Sequence, residues 1–144
     1  MKDTGICIYV CNKLLRGEIS AIECYQGALG KIENPRHKES LHLILEDHRN
    51  SARALREHVS AMGAIPESDS GIWGSSVQAF TNNAAVLDQS TAMSALILEE
   101  EHGITEYKKA LNDPDVMTDV KITVSETLIP RLHEHIAVLE TIKD

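Results

Sequence analysis

Glu18-Ile19-Ser20-Ala21-Ile22-Glu23-Cys24-Tyr25-Gln26-Gly27-Ala28-Leu29 decides the fold, because the chain states its skeleton twice. The pattern Glu18-x-x-x-Ile22-x-x-Tyr25-x-x-Ala28-Leu29 returns as Glu100-x-x-x-Ile104-x-x-Tyr107-x-x-Ala110-Leu111. Each copy is followed by Leu-x-x-His, from Leu45 to His48 and from Leu132 to His135. Spacings of three and four put the members of each run on one helical face. A seam broken by Glu on one helix and by His on the next, twice over, predicts two related helix pairs. They would point Glu18, His48, Glu100 and His135 into one interior.

Working outward, apolar residues recur at helical spacing through four segments, about 4–32, 35–62, 90–111 and 114–142. Asn34-Pro35 and Asp113-Pro114 each read as a cap residue followed by proline at the first helical position. Gly63 marks the end of the second helix, and Pro130 is expected to kink or loosen the turn before His135. Short links join helices 1 to 2 and 3 to 4, so each pair is an antiparallel hairpin. The middle link, about 64–89, carries Pro66, Gly71, Gly74 and the sole tryptophan, Trp73, with a short helix expected over 76–87. It is long enough to run back along a helix of roughly 26 residues, about 39 Å. Helices 2 and 3 can then run parallel, and the expected architecture is one all-α domain over 1–144, a four-helix bundle with one long crossover.

The totals agree. Aromatics make up only 3% of 144 residues, so the core must come from Leu, Ile, Val, Ala and Met, which favours helices over sheets. A net charge of −8 argues against nucleic acid as a partner, since phosphate binding needs a basic surplus. Cys7, Cys11 and Cys24 make no disulfide framework, which suits a reduced, cytoplasmic setting. The apolar run from Ile6 to Val10 is too short for a membrane span and lacks the flanks of a signal peptide. There is no nucleophile with a plausible base, no glycine-rich phosphate loop and no Cys-x-x-Cys pair.

Two carboxylates and two imidazoles on buried seams must be neutralised. One divalent metal would offset both carboxylates and take two neutral imidazoles. Alternatively, each Glu pairs with a protonated His in a metal-free network. Both arrangements satisfy the sequence. Tyr25 and Tyr107, seven residues beyond the two glutamates, are placed to hydrogen-bond to ligands. Asp47 or Glu46 would reach inward on a rotated helix 2, and Glu101 competes with Glu100 in the same way.

The stretch from Leu15 to Tyr25 resembles the first helix of bacterioferritin- and rubrerythrin-type bundles, in which a glutamate is a terminal iron ligand and a tyrosine lies seven residues on. His135-Ile136-Ala137-Val138-Leu139-Glu140-Thr141 resembles the fourth-helix segment that carries a ligand histidine. With its Ser70-Gly71-Ile72-Trp73-Gly74 crossover, the chain is most similar to a family of small bacterial ferritin-like bundles. That resemblance implies metal binding in the bundle interior. Di-iron members of the fold take Glu-x-x-His from helices 2 and 4, and those glutamates bridge the metals. Here the bridging positions are Leu45 and Leu132. The resemblance therefore implies one iron, zinc or manganese ion held by Glu18, His48, Glu100 and His135, not a close metal pair. It implies no organic cofactor. No fifth helix follows Ile142, so it does not extend to a storage cage, and whether the chain turns over a substrate stays open. A covering crossover is compatible with homodimerisation. The competing reading is a non-catalytic bundle whose buried Glu/His network serves an oligomer or an interaction module.

Several other groups read as ordinary surface. Glu39-x-x-His42 has metal spacing but lies near the start of helix 2. Arg49, Arg53 and Arg56 form a stripe that reads as a solvated face. His133 and Glu134 are expected to face outward or toward a partner subunit.

Overall fold

The computed structural model describes residues 2–71 and 88–143. The expected short helix at 76–87 and the docking of Trp73 lie outside the described residues. Helix α1 spans Thr4–Leu29, capped by the Asp3 carboxylate, which accepts from the Ile6 N–H at 3.1 Å. It closes at Leu29 instead of Ile32, because the Ala28 carbonyl accepts from both Lys31 and Ile32 in a tightened last turn. Helix α2 spans Pro35–Ala61. Asn34 caps it as expected, its Oδ1 accepting from Arg36 and His37, and Gly63 follows its end at φ +84°, a region that favours glycine. Helix α3 spans Gln89–Leu111, with Asp88 accepting from the Thr91 N–H at 2.7 Å.

The second cap-proline signal is corrected. Asp113 accepts instead from the Asp115 N–H at 2.9 Å and closes a turn. The fourth helix, α4 (residues 118–143), begins only at Thr118. It runs as an α-segment Thr118–Thr123, a widened π-turn Val124–Leu128 and an α-segment Ile129–Lys143. Its sequence explains the widened turn. Val116, Val120, Val124, Leu128 and Leu132 are all buried at intervals of four. On a regular α-helix such intervals drift by about 40° per step. The π-turn, in which the Ile129 N–H reaches back to the Val124 carbonyl, takes up that drift. Pro130 follows directly, so its missing N–H falls where the regular ladder is already broken.

Side-chain contacts give the direction of each helix. Glu18 meets Tyr107 and Tyr25 meets Glu100, so α1 and α3 are antiparallel. His37 meets Gln89 and His48 meets Glu100, so α2 and α3 run parallel, as a long crossover requires. Ser51 meets Arg131 and Asp47 meets His135, so α2 and α4 are antiparallel. The closest packing is within the hairpins α1–α2 and α3–α4, with α1–α3 looser and α2–α4 looser still.

The core divides into two apolar clusters. One gathers Leu14, Leu15, Leu55, Val59, Tyr107, and Val120 and Val124 of α4. The other gathers Tyr25, Leu41, Ile44, Met93, Leu96 and Leu139. Between them lie Glu18, His48, Glu100 and His135, one buried titratable side chain from the seam of each helix. No helix among the described residues is long and apolar enough to cross a membrane.

Ser125 is exposed, so its deletion tests the π-turn without removing core volume. The π-turn holds about one residue more than the α-turn it replaces, so the shortened chain can close to a continuous α-helix with Val120, Val124, His135 and Leu139 still facing the core. The expected result is a folded variant whose melting midpoint stays within about 5 °C of its parent. A loss of roughly 10 °C or more would show that the turn is not an accommodated extra residue.

Candidate metal centre

Glu18, His48, Glu100 and His135 are the polar layer, and all four are buried. Each occupies the interior position that its seam dictates, between an apolar residue three before it and another four after it. Glu100 is the hub. Its Oε1 accepts from the Tyr25 hydroxyl at 2.7 Å and lies 2.6 Å from His48 Nε2, and its Oε2 lies 3.2 Å from His135 Nδ1. One ligand atom each from His48, Glu100 and His135 fits within 4.8 Å, so these three form a potential metal-holding group.

Glu18 stands on the far side of His48. Its Oε2 is 2.5 Å from Nδ1, and its Oε1 accepts from the Tyr107 hydroxyl. Asp47 does the same for His135, with Oδ2 2.8 Å from Nε2. Each histidine therefore shows one ring nitrogen to Glu100 and the other to a carboxylate outside the cluster. Such carboxylates fix the tautomer and orientation of an imidazole ligand. The rings themselves are 4.9 Å apart and tilted by 55°.

Electrostatics follow from this placement. Burial alone would lower the His48 pKa, but Glu100 and Glu18 at its two nitrogens raise it well above the ordinary value. Without a metal, a ring facing two carboxylates donates twice and is an imidazolium. Burial alone would raise Glu100, but the His48 charge and hydrogen bonds from both histidines hold it down at about 2. Burial and the adjacent carboxylates push both tyrosine hydroxyls well up, so they remain donors. Burial likewise pushes Cys11 and Cys24 to about 12, so these thiols are poor metal ligands.

The other sequence candidates separate cleanly. Glu46 is exposed and pairs with Arg49 at 2.6 Å, while Glu101, Glu39 and His42 are exposed, as are His133 and Glu134. Leu45 and Leu132, at the bridging positions, are buried among apolar neighbours. Sequence reasoning missed Glu99 and Glu106, which are buried although they sit off the seam of α3. Their signal was the glycine between them, Gly103, which leaves room on that face.

A family described as a domain of unknown function, DUF2383, matches residues 7–113. The chain belongs to that family. The matched span carries Glu18, Tyr25, Asp47, His48, Glu100 and Tyr107, and it ends before His135. A comparison with curated proteins finds no match. Among solved structures, the bacterioferritin-related protein of Bacteroides fragilis, described as a dodecameric thioferritin in the bacterial domain, is similar in fold. It superimposes with a TM-score of 0.77 over 98% of this chain and 86% of that one, at 18% identity. The DUF2383 chain thus has the ferritin-like fold.

For the metal-free protein the pH dependence has a definite sign. His48 has a raised folded pKa, so its contribution is complete below 6.5 and is lost as pH rises toward the folded value. Glu100 is depressed, so its contribution is complete above 4.5 and is lost as pH falls toward about 2. Metal-free stability should therefore peak between these limits and decline above pH 6.5, with a limiting slope of about 1.4 kcal/mol per pH unit. Denaturant titrations across pH measure it, and a flat profile from 6 to 9 would contradict the imidazolium. At fixed pH, Tyr25→Phe should cost about 1–2 kcal/mol. Glu100→Ala should cost about 3–5 kcal/mol, because it strands a buried charge.

Proposed function

We propose that this protein binds one divalent metal ion at His48 Nε2, Glu100 and His135 Nδ1, with Glu18 and Asp47 orienting the two imidazoles. The observation that carries this reading is the convergence of two carboxylate–histidine pairs on a single buried glutamate. The donor set fits a metal. Two imidazoles and a carboxylate suit zinc, ferrous iron or manganese and leave coordination positions for water or an exogenous ligand. Ligand atoms about 2.1 Å from a tetrahedral metal lie roughly 3.4 Å from one another. The 2.6 Å and 3.2 Å separations here would need to open by less than about 1 Å. A cavity of about 20 Å³, lined by Glu18, His48, Glu100 and Tyr107 among others, adjoins the set with room for roughly one water. A bound metal would supply Lewis acidity, or redox capacity if it is iron. The chain's residues would exclude bulk water and keep Glu100 ionised.

A metal-free network is the second reading. It is favoured by His48, whose two nitrogens both have carboxylate partners without any ion. In that case the layer acts in folding specificity and partner choice. Self-association belongs to either reading, as a homodimer or a larger assembly, given that the solved neighbour is a dodecamer. A reduced cytoplasmic setting suits three buried free thiols.

Elemental analysis of protein purified without chelator separates the two. Metal binding requires about one equivalent of iron, zinc or manganese per chain, lost in His48→Ala and His135→Ala. Chelator should then lower the melting midpoint by roughly 8 °C for metal at a hundredfold excess over Kd. No metal after reconstitution, with melting indifferent to chelator, would leave the network reading.

A further inference from the structure

His48, Glu100 and His135 are all buried, so an ion must pass between helices to reach them. The α1–α3 interface supplies a candidate path. Its inner cavity is lined by His48 and Glu100 of the centre and by Gly17 on α1 and Gly103 on α3. Having no side chains, these glycines leave the seam unfilled. At Gly103 an added Cβ would come within 3.0 Å of Leu132 Cδ1, so a side chain there would crowd the wall of this cavity. Beside this cavity lies a surface groove of about 200 Å³, lined by Tyr9, Val10, Lys13, Lys109 and Asp113. Two residues line both spaces, Leu14 and Glu106, and only Glu106 is polar.

Glu106 is 7% exposed and bracketed by two ammonium groups, Lys13 at 3.0 Å and Lys109 at 3.1 Å. Burial alone would raise its pKa, but the hydrogen bonds and charges of the two lysines lower it, so it is a carboxylate at neutral pH. Both lysine side chains are substantially solvent-exposed, at 40% and 69%, so their ammonium groups can turn to water and leave the Glu106 carboxylate to another cation. A divalent cation has twice the charge of either and can take their place on the carboxylate.

We propose that Glu106 is a transit site for divalent cations moving from the surface groove to the His48–Glu100–His135 centre, with Lys13 and Lys109 as its gate. With no cation present, the lysines hold Glu106 and shield the mouth. An arriving cation displaces them, rests on Glu106 and passes inward between Gly17 and Gly103 to Glu100, one helical face deeper and six residues back along α3. This role rests on the reading of the centre as a metal site.

The test mixes metal-free protein with cobalt(II) and follows the visible absorption of the bound ion in a stopped-flow instrument, with equilibrium dialysis giving stoichiometry and Kd. Glu106→Gln should slow loading about tenfold or more while stoichiometry and Kd stay within about twofold of the parent. The Lys13→Gln/Lys109→Gln double variant should load faster. Glu101→Gln removes the same charge from an exposed position outside both cavities and should load at the parental rate. Circular dichroism confirms that each variant is folded. Parental loading by Glu106→Gln would overturn the transit site and leave the metal centre standing, as would equal slowing by Glu106→Gln and Glu101→Gln. If the parent takes up no cobalt at equilibrium, the centre itself fails and the route falls with it.

Discussion

The structure depends on one constraint: two carboxylates and two imidazoles are buried in a single layer, and their charges must cancel there. Glu18 and Glu100 sit at the middle of α1 and α3, with apolar clusters above and below. An uncompensated carboxylate at such a depth would cost several kcal/mol, comparable to the whole stability of a small domain. The helix rotations are therefore not free. Turning α2 by one residue would take His48 from both glutamates, and turning α4 would take His135 from Glu100. The apolar seams alone tolerate small slips, because Leu and Ile repack readily. The polar layer converts an adaptable bundle into one with a fixed register, and the π-turn of α4 is the local distortion that lets a run of four-residue spacings meet that register.

The doubled sequence pattern becomes an approximate two-fold arrangement, and its departures from symmetry carry the chemistry. Glu18 of α1 accepts from Tyr107 of α3, and Glu100 of α3 accepts from Tyr25 of α1, so the two copies clasp each other crosswise. The histidines are not equivalent. His48 lies between both glutamates, whereas His135 lies between Glu100 and Asp47. Glu100 reaches both histidines, but Glu18 meets only His48, because its other oxygen accepts from Tyr107. Asp47 fills the remaining place. Its side chain is 40% exposed, so water shares its charge and the interior does not bear it alone. Its counterpart in the second copy, Glu134, stays on the surface.

Much of this was legible in the sequence, and for physical reasons. Helical periodicity and the Asn34 cap are local, so α1 and α2 follow from the chain itself. The inward direction of the Glu and His positions follows from the seams they interrupt. What the sequence could not rank was rotation within about one residue: Glu100 against Glu101, or Asp47 against Glu46, differ by a turn of about 100° that only packing settles. Asp113-Pro114 misled because Asp before Pro also starts turns, and here Asp113 bonds the Asp115 N–H instead of opening a helix. The side of His48 on which Glu18 stands depends on how α1 and α2 lean together. Glu106 did not stand out in the sequence because its burial comes from the meeting of α1 with α3, a contact between residues 93 apart in its Lys13 pair.

On the proposed metal reading, Leu45 and Leu132 limit how many cations the interior can hold. A di-iron bundle of this fold presents four glutamates and two histidines, so two divalent ions leave the interior neutral. Replacing two of those glutamates by Leu45 and Leu132 removes two negative charges together. Two divalent ions beside Glu18 and Glu100 alone would leave an excess of two positive charges at low dielectric, with no room for water in number to disperse them. One divalent ion restores neutrality, and so does a protonated imidazole pair. The leucines also fill the volume the carboxylates would have taken, packing with the apolar clusters on either side. The loss of the bridges is thus matched in charge and in volume. On that reading the interior suits one divalent ion, where a di-iron bundle would hold two.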